Sequence, residues 1–186
     1  MRVLLINLPG ESVRKPEEHC GLAFLKAYLD EREISTDILD AYAKRMSITE
    51  CLKHIKKWID KYDDCYVGMS PFVTSHQNFI TVGKYIKNIK SSAIVFAGGH
   101  YASLNKEYLL NTNNWLDAII VGEGEISLYE MLVNPFSDNI AGVYKKGLED
   151  GKAGKTVSTK PAVVINNNKK PQHVTYKSIN DLDDDE

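Results

Sequence analysis

Three short apolar runs in this chain each end in small or polar residues and lead into a helical pattern, and few folds accommodate that arrangement. Residues 93–100, AIVFAGGH, are the clearest: a β-branched centre runs into paired glycines and a histidine. A buried strand whose carboxyl end opens onto a ligand has this form. Residues 65–74, CYVGMSPFVT, and residues 116–125, LDAIIVGEGE, repeat it. Set side by side, three such strand ends line one crevice.

The remaining chain supplies the alternation such a sheet needs. Residues 2–8 form an apolar strand stopped by Pro9 and Gly10, followed by a polar loop to His19. Leu22, Leu25 and Leu29 mark one face of a helix over residues 21–33, and residues 35–39 form a short strand closing at Asp40. Ser47 and Glu50 form a capping box, opening a helix that turns Leu52, Ile55, Ile59 and Tyr62 inward. Thr74 to Gln77 give a second cap pattern ahead of the stripe Phe79, Val82, Ile86 and Ile89. Helices over residues 103–110 and 125–132 flank a strand at 118–121. Alternating strands and helices call for an α/β fold, a doubly wound parallel five-stranded sheet. Short right-handed crossovers favour the flavodoxin-like, Rossmann-like order 2-1-3-4-5.

Beyond Pro135 the pattern changes. Residues 140–145 and 155–159 read as a β-hairpin extension that adds to a sheet edge. Residues 166–171, NNNKKP, read as a linker, and the chain runs out on the acidic residues 181–186. The division expected is an α/β domain over 1–138, the hairpin over 139–165 and a linker over 166–186 toward a further domain.

Composition narrows the function classes. At 186 residues the chain fits one domain with extensions, burying roughly 70% of its unfolded surface. A net charge of -2 with scattered lysines provides no basic field for nucleic acid. No apolar run approaches a membrane span. The cysteines, Cys20, Cys51 and Cys65, form no CxxC or CxxxCxxC cluster and suggest reduced thiols in a cytoplasmic protein.

Ligands of doubly wound sheets bind outside the carboxyl ends of the strands, near the switch point. That rule selects residues 9–20, 70–76, 98–103 and 122–125. Gly98 and Gly99 let a ligand approach the main chain, while Ser70 and Thr74 offer hydroxyls. The helix after Thr74 would turn its amino end toward a phosphate. Plainer roles compete: Thr74 is explained as a helix cap, and Gly122, Glu123 and Glu125 as a turn and its dipole partners. His76 reads as a surface residue. Asp40 sits where dinucleotide folds hold a ribose, yet no G-x-G-x-x-G precedes it.

Taken together, VLLINLP, GLAFLKAYL, ILDAYA, VGMSPFVT, IVFAGGHYAS, DAIIVGEGE and AGVY resemble, in order, the N-terminal cobalamin-binding domain of cobalamin-dependent radical SAM enzymes. INDLDDDE resembles the segment that precedes the radical SAM barrel. The resemblance implies that Ser70, Phe72 and Thr74, at the spacing of a Ser-x-Leu-x-Thr motif, and Gly98 and Gly99 contact the nucleotide tail of cobalamin. His100, Gly122 and Glu123 complete the candidate cofactor contacts. Related modules carry Asp-x-His-x-x-Gly, whose histidine ligates cobalt. Here Glu17, His19 and Gly21 stand in its place, with the glycine one residue early, so His19 is a candidate cobalt ligand against which the shifted spacing counts.

The resemblance further implies a larger enzyme, commonly a methyltransferase. There a C-terminal radical SAM domain of the same polypeptide supplies a [4Fe-4S] cluster and S-adenosylmethionine. This chain has no CxxxCxxC motif, so it would hold cobalamin only and be inactive alone. Two other classes use the same fold: a flavin- or nucleotide-binding module, and a regulatory or structural α/β domain with an empty crevice.

Overall fold

The computed structural model describes residues 1–10, 19–135, 137 and 139–145. Its centre is a six-stranded sheet of order β2-β1-β3-β4-β5-β6. The strands are β1 (Arg2–Asn7), β2 (Thr36–Asp40), β3 (Cys65–Met69), β4 (Ile94–Ala97), β5 (Ala118–Ile120) and β6 (Val143–Lys145). The first five are parallel in the expected 2-1-3-4-5 order, and β6 runs antiparallel along β5. A single edge strand therefore extends the predicted five, formed by the first arm of the expected hairpin. Its second arm, residues 155–159, the turn 147–154 and the linker lie outside the described residues, as do Glu11 to Glu18.

The connecting helices are α1 (Cys20–Asp30), α2 (Ile48–Ile59), α3 (His76–Ile89), α4 (Gly99–Leu104), α5 (Lys106–Thr112) and α6 (Gly124–Val133). Strand residues alternate between two apolar layers, as the two-residue period of a strand requires. On one face, Leu4, Ile6, Val67 and Val95 pack with α2, α3 and α5 through Ile55, Trp58, Phe79, Val82, Ile86 and Leu109. On the other, Val3, Leu5, Phe96 and Ile120 pack with α1 and α6 through Leu22, Leu29, Leu128 and Met131.

Local chemistry sets several boundaries. Ser47 caps α2 as read: its Oγ accepts the Glu50 amide, and the Glu50 carboxylate accepts the Ser47 amide. Thr74 caps nothing. It lies exposed in a 3-10 turn, Val73–Ser75, and α3 starts at His76. The Ser75 hydroxyl instead folds back to accept the Phe72 amide at 2.9 Å. The helix expected from residue 103 begins earlier, as α4 directly on the second glycine of the pair, and α5 follows after a break at Asn105. Gly99 has φ +85, so the chain turns from strand into helix within one residue, a backbone conformation that glycine adopts without strain.

Candidate functional site

The parallel strands all deliver their carboxyl ends to one edge of the sheet, and two hydrogen bonds tie that edge together. The Ser70 amide donates to the Ile6 carbonyl at 3.2 Å, and the Gly98 amide donates to the Met69 carbonyl at 3.0 Å. Ser70 and the Gly98-Gly99 pair are thus held on neighbouring strand ends. A Cβ built on Gly99 would lie 3.0 Å from Ser70 Oγ, so the glycine brings its main chain against that hydroxyl.

Below this rim a pocket of about 150 Å3 opens between the sheet and helices α1 and α6. Leu5, Phe96 and Ile120 from the strands and Leu22, Leu25 and Leu128 from the helices form its apolar walls. Gly68 and Phe96 are packed together in its lining: a Cβ on Gly68 would sit 2.4 Å from the Phe96 ring, so only glycine leaves room for the aromatic side chain there. His19, Ser70, Gly98, Gly99, the turn at Gly122 and Glu123 and the first residues of α6, Gly124 and Glu125, also line the pocket. Gly122 takes φ +82 in that turn.

His19 stands at the amino end of α1. Its Nδ1 accepts the Leu22 amide at 3.3 Å, capping the helix. Nε2 lies 2.9 Å from Ser70 Oγ, and in the neutral tautomer whose Nδ1 accepts from Leu22 it carries the proton and donates to that hydroxyl. Burial depresses the imidazole's pKa below the ordinary histidine value; its own backbone and the Asp40 carboxylate pull the other way. The Phe72 ring lies 6.1 Å from the imidazole and is 53% exposed. Asp40 is buried, with Oδ1 accepting from Asn7 Nδ2 at 2.8 Å and from the Ala43 amide at 3.0 Å. That pairing braces β1 against β2.

The structure therefore brings His19, Ser70, Gly98, Gly99, Gly122 and Glu123 into one pocket lining, with Phe72 beside it. Thr74 and His100 do not line the pocket; both are exposed. No residue of α3 lines it either, because α3 covers the opposite face of the sheet. The six apolar wall residues escape sequence reasoning because they carry the same hydrophobic signal as the core. Gly68, a glycine inside a strand pattern, is the one available hint of close packing there.

Among the described residues, no cluster of His, Cys, Asp and Glu could hold a metal ion, and no helix is long and apolar enough to cross a membrane. Residues 7–132 match the family model of the B12 binding domain. Over 137 residues, 71% of this chain, the sequence is 29% identical to an uncharacterized methyltransferase of Pyrococcus horikoshii, PH0819. The fold is similar to that of the cobalamin-dependent S-adenosylmethionine radical enzyme OxsB, solved with aqua-cobalamin and S-adenosylmethionine bound, at TM-score 0.62 and 22% identity over 79% of the chain. It is also similar to the radical S-adenosylmethionine methyltransferase TsrM from Kitasatospora setae, at TM-score 0.65 and 18% identity over 78% of the chain. The chain spans 29% of PH0819, 21% of OxsB and 28% of TsrM.

Proposed function

We propose that this chain, which belongs to the B12-binding domain family, holds cobalamin base-off, with the nucleotide tail in the pocket between the sheet, α1 and α6. The observation that carries this reading is the pocket itself: an apolar chamber at the switch-point rim, with one hydroxyl and a glycine pair at its mouth. A cavity of about this size lined by aliphatic and aromatic side chains accepts a small aromatic ring. The residues present fit the group.

In this reading Ser70 presents its hydroxyl to the tail, and Gly98 and Gly99 let the tail pass along bare main chain. Phe72 flanks the mouth, and Gly122 and Glu123 close the far side. Thr74 and His100, exposed nearby, remain candidates for contact with the corrin periphery. His19 serves as helix cap and, in the tautomer whose Nδ1 accepts from Leu22, as donor to Ser70, a state in which Nε2 has no lone pair to offer cobalt. Bound cobalamin would supply a cobalt centre for methyl transfer.

The short span relative to PH0819, OxsB and TsrM supports a larger enzyme in which a C-terminal radical SAM domain of the same polypeptide brings the [4Fe-4S] cluster and S-adenosylmethionine. This chain alone is then inactive. Its three free cysteines suit a reducing, cytoplasmic setting. The test is to incubate the chain with hydroxocobalamin or flavin, desalt it and record the visible spectrum. Retained corrin absorbance is expected; retention of flavin instead, or of neither, would overturn the reading.

A further inference from the structure

We propose that this pocket selects among cobamides by the chemistry of their lower base, accepting a benzimidazole-type ring and rejecting a purine. The inference rests on the cobalamin reading above and adds the ligand class that the site discriminates.

The polar side chains of the pocket come from element ends, His19 and Glu123 capping α1 and α6, Ser70 following β3 and Glu125 in the first turn of α6, while Leu5, Leu22, Leu25, Phe96, Ile120 and Leu128 supply its apolar lining. Leu5, Leu22, Phe96, Ile120 and Leu128 are buried, and Leu25 is half-buried. Ser70 is 6% exposed and lines the same pocket. In the tautomer that caps α1, its Oγ accepts the His19 Nε2 proton 2.9 Å away, which leaves the hydroxyl's own proton to donate. The site thus sets a hydroxyl donor beside apolar walls.

A glycosylated benzimidazole matches that inventory, since it presents a single ring-nitrogen acceptor and is otherwise apolar. A purine carries several ring nitrogens and, in adenine, an exocyclic amine. Among these six side chains it finds no partner for them, and each polar group buried unpaired weakens binding by about tenfold or more. The acidic side chains that line the pocket are Glu123, the N-cap of α6, and Glu125 in its first turn, so a purine would have to lie against that helix end to use them.

The experiment compares three probes on the unaltered chain by spectrophotometric titration: hydroxocobalamin, its adenine-based counterpart, and cobinamide, which has no lower base. Hydroxocobalamin is expected to bind at least about tenfold more tightly than either of the others. Equal affinity for the benzimidazole and adenine forms, or preference for adenine, overturns the inference while leaving the cobalamin reading in place. Equal affinity for cobinamide and hydroxocobalamin overturns it too, because the tail then contributes nothing. Failure of all three to bind removes the reading beneath it. Leu25→Gln, which places an amide in the wall on a half-buried helix position, is expected to narrow the gap between the two bases, with circular dichroism checking the fold. An unchanged ratio in a folded Leu25→Gln would contradict the assignment of that wall.

Discussion

Gly68→Ala tests how closely the pocket is built. The new methyl would sit 2.4 Å from the Cε2 and Cζ atoms of Phe96 and 3.0 Å from Leu5 Cδ2. Ordinary carbon contacts begin near ~3.5 Å, so the ring must move by ~1 Å or the strands must part. Phe96 lies on the pocket face of β4, and its shift fills the space assigned to the tail. Overpacking of this kind costs about 1–3 kcal/mol. With a urea slope of about 2 kcal/mol per molar, the unfolding midpoint should fall by about 0.5–1.5 M. Cobalamin retention should fall with it. Phe96→Leu removes the obstructing ring edge, so the double variant should recover about 1 kcal/mol relative to the sum of the single changes. A Gly68→Ala protein with native midpoint and native cobalamin binding would refute the packing argument.

Further outcomes follow from other contacts. Gly99→Ala forces φ +85 on an alanine and brings its methyl to 3.0 Å from Ser70 Oγ, so thermal denaturation should show a loss of about 1 kcal/mol or more and cobalamin should bind more weakly. His19→Gln removes the cap from the Leu22 amide and should cost about 0.5–2 kcal/mol, while leaving the visible spectrum of bound cobalamin unchanged; a shifted spectrum would make His19 a cobalt ligand after all. Because burial lowers the His19 pKa in the folded state, the unfolded chain takes up that proton first. The contribution is complete above about pH 6.5 and is lost as pH falls toward the depressed folded value, so wild type should lose more stability than His19→Gln in urea titrations between about pH 7.5 and about pH 5.5. Ser47→Ala breaks the capping box of α2, on the face away from the pocket, and should cost about 1 kcal/mol with cobalamin binding unchanged.

The rim was legible in the sequence because its signal is local. An apolar run that stops at Ser70 or at Gly98 announces both the strand and its open end, and alternation with helices then dictates the parallel order. The membership of Ser70, Gly98 and Gly99 in one crevice follows from that order alone. The contact between His19 and Ser70 spans 51 positions and depends on how α1 enters its first turn, which no short pattern encodes. Thr74 misled because a threonine followed by a serine offers two plausible caps; Ser75 bonded the Phe72 backbone, and a 3-10 turn displaced the helix start. The early start of α4 depends on a left-handed Gly99, and a glycine pair by itself does not reveal which residue takes that conformation. Leu22 and Leu128 gave a hydrophobic period and nothing more, since a residue facing a pocket and a residue facing the core obey the same rule.

The most direct measurement of the central claim is a crystal structure of this chain with hydroxocobalamin. The account predicts the lower base among Leu22, Phe96, Ile120 and Leu128, with Ser70 Oγ within hydrogen-bonding distance of the base and His19 still capping α1. A base lying outside that pocket, or His19 turned onto cobalt, would contradict it.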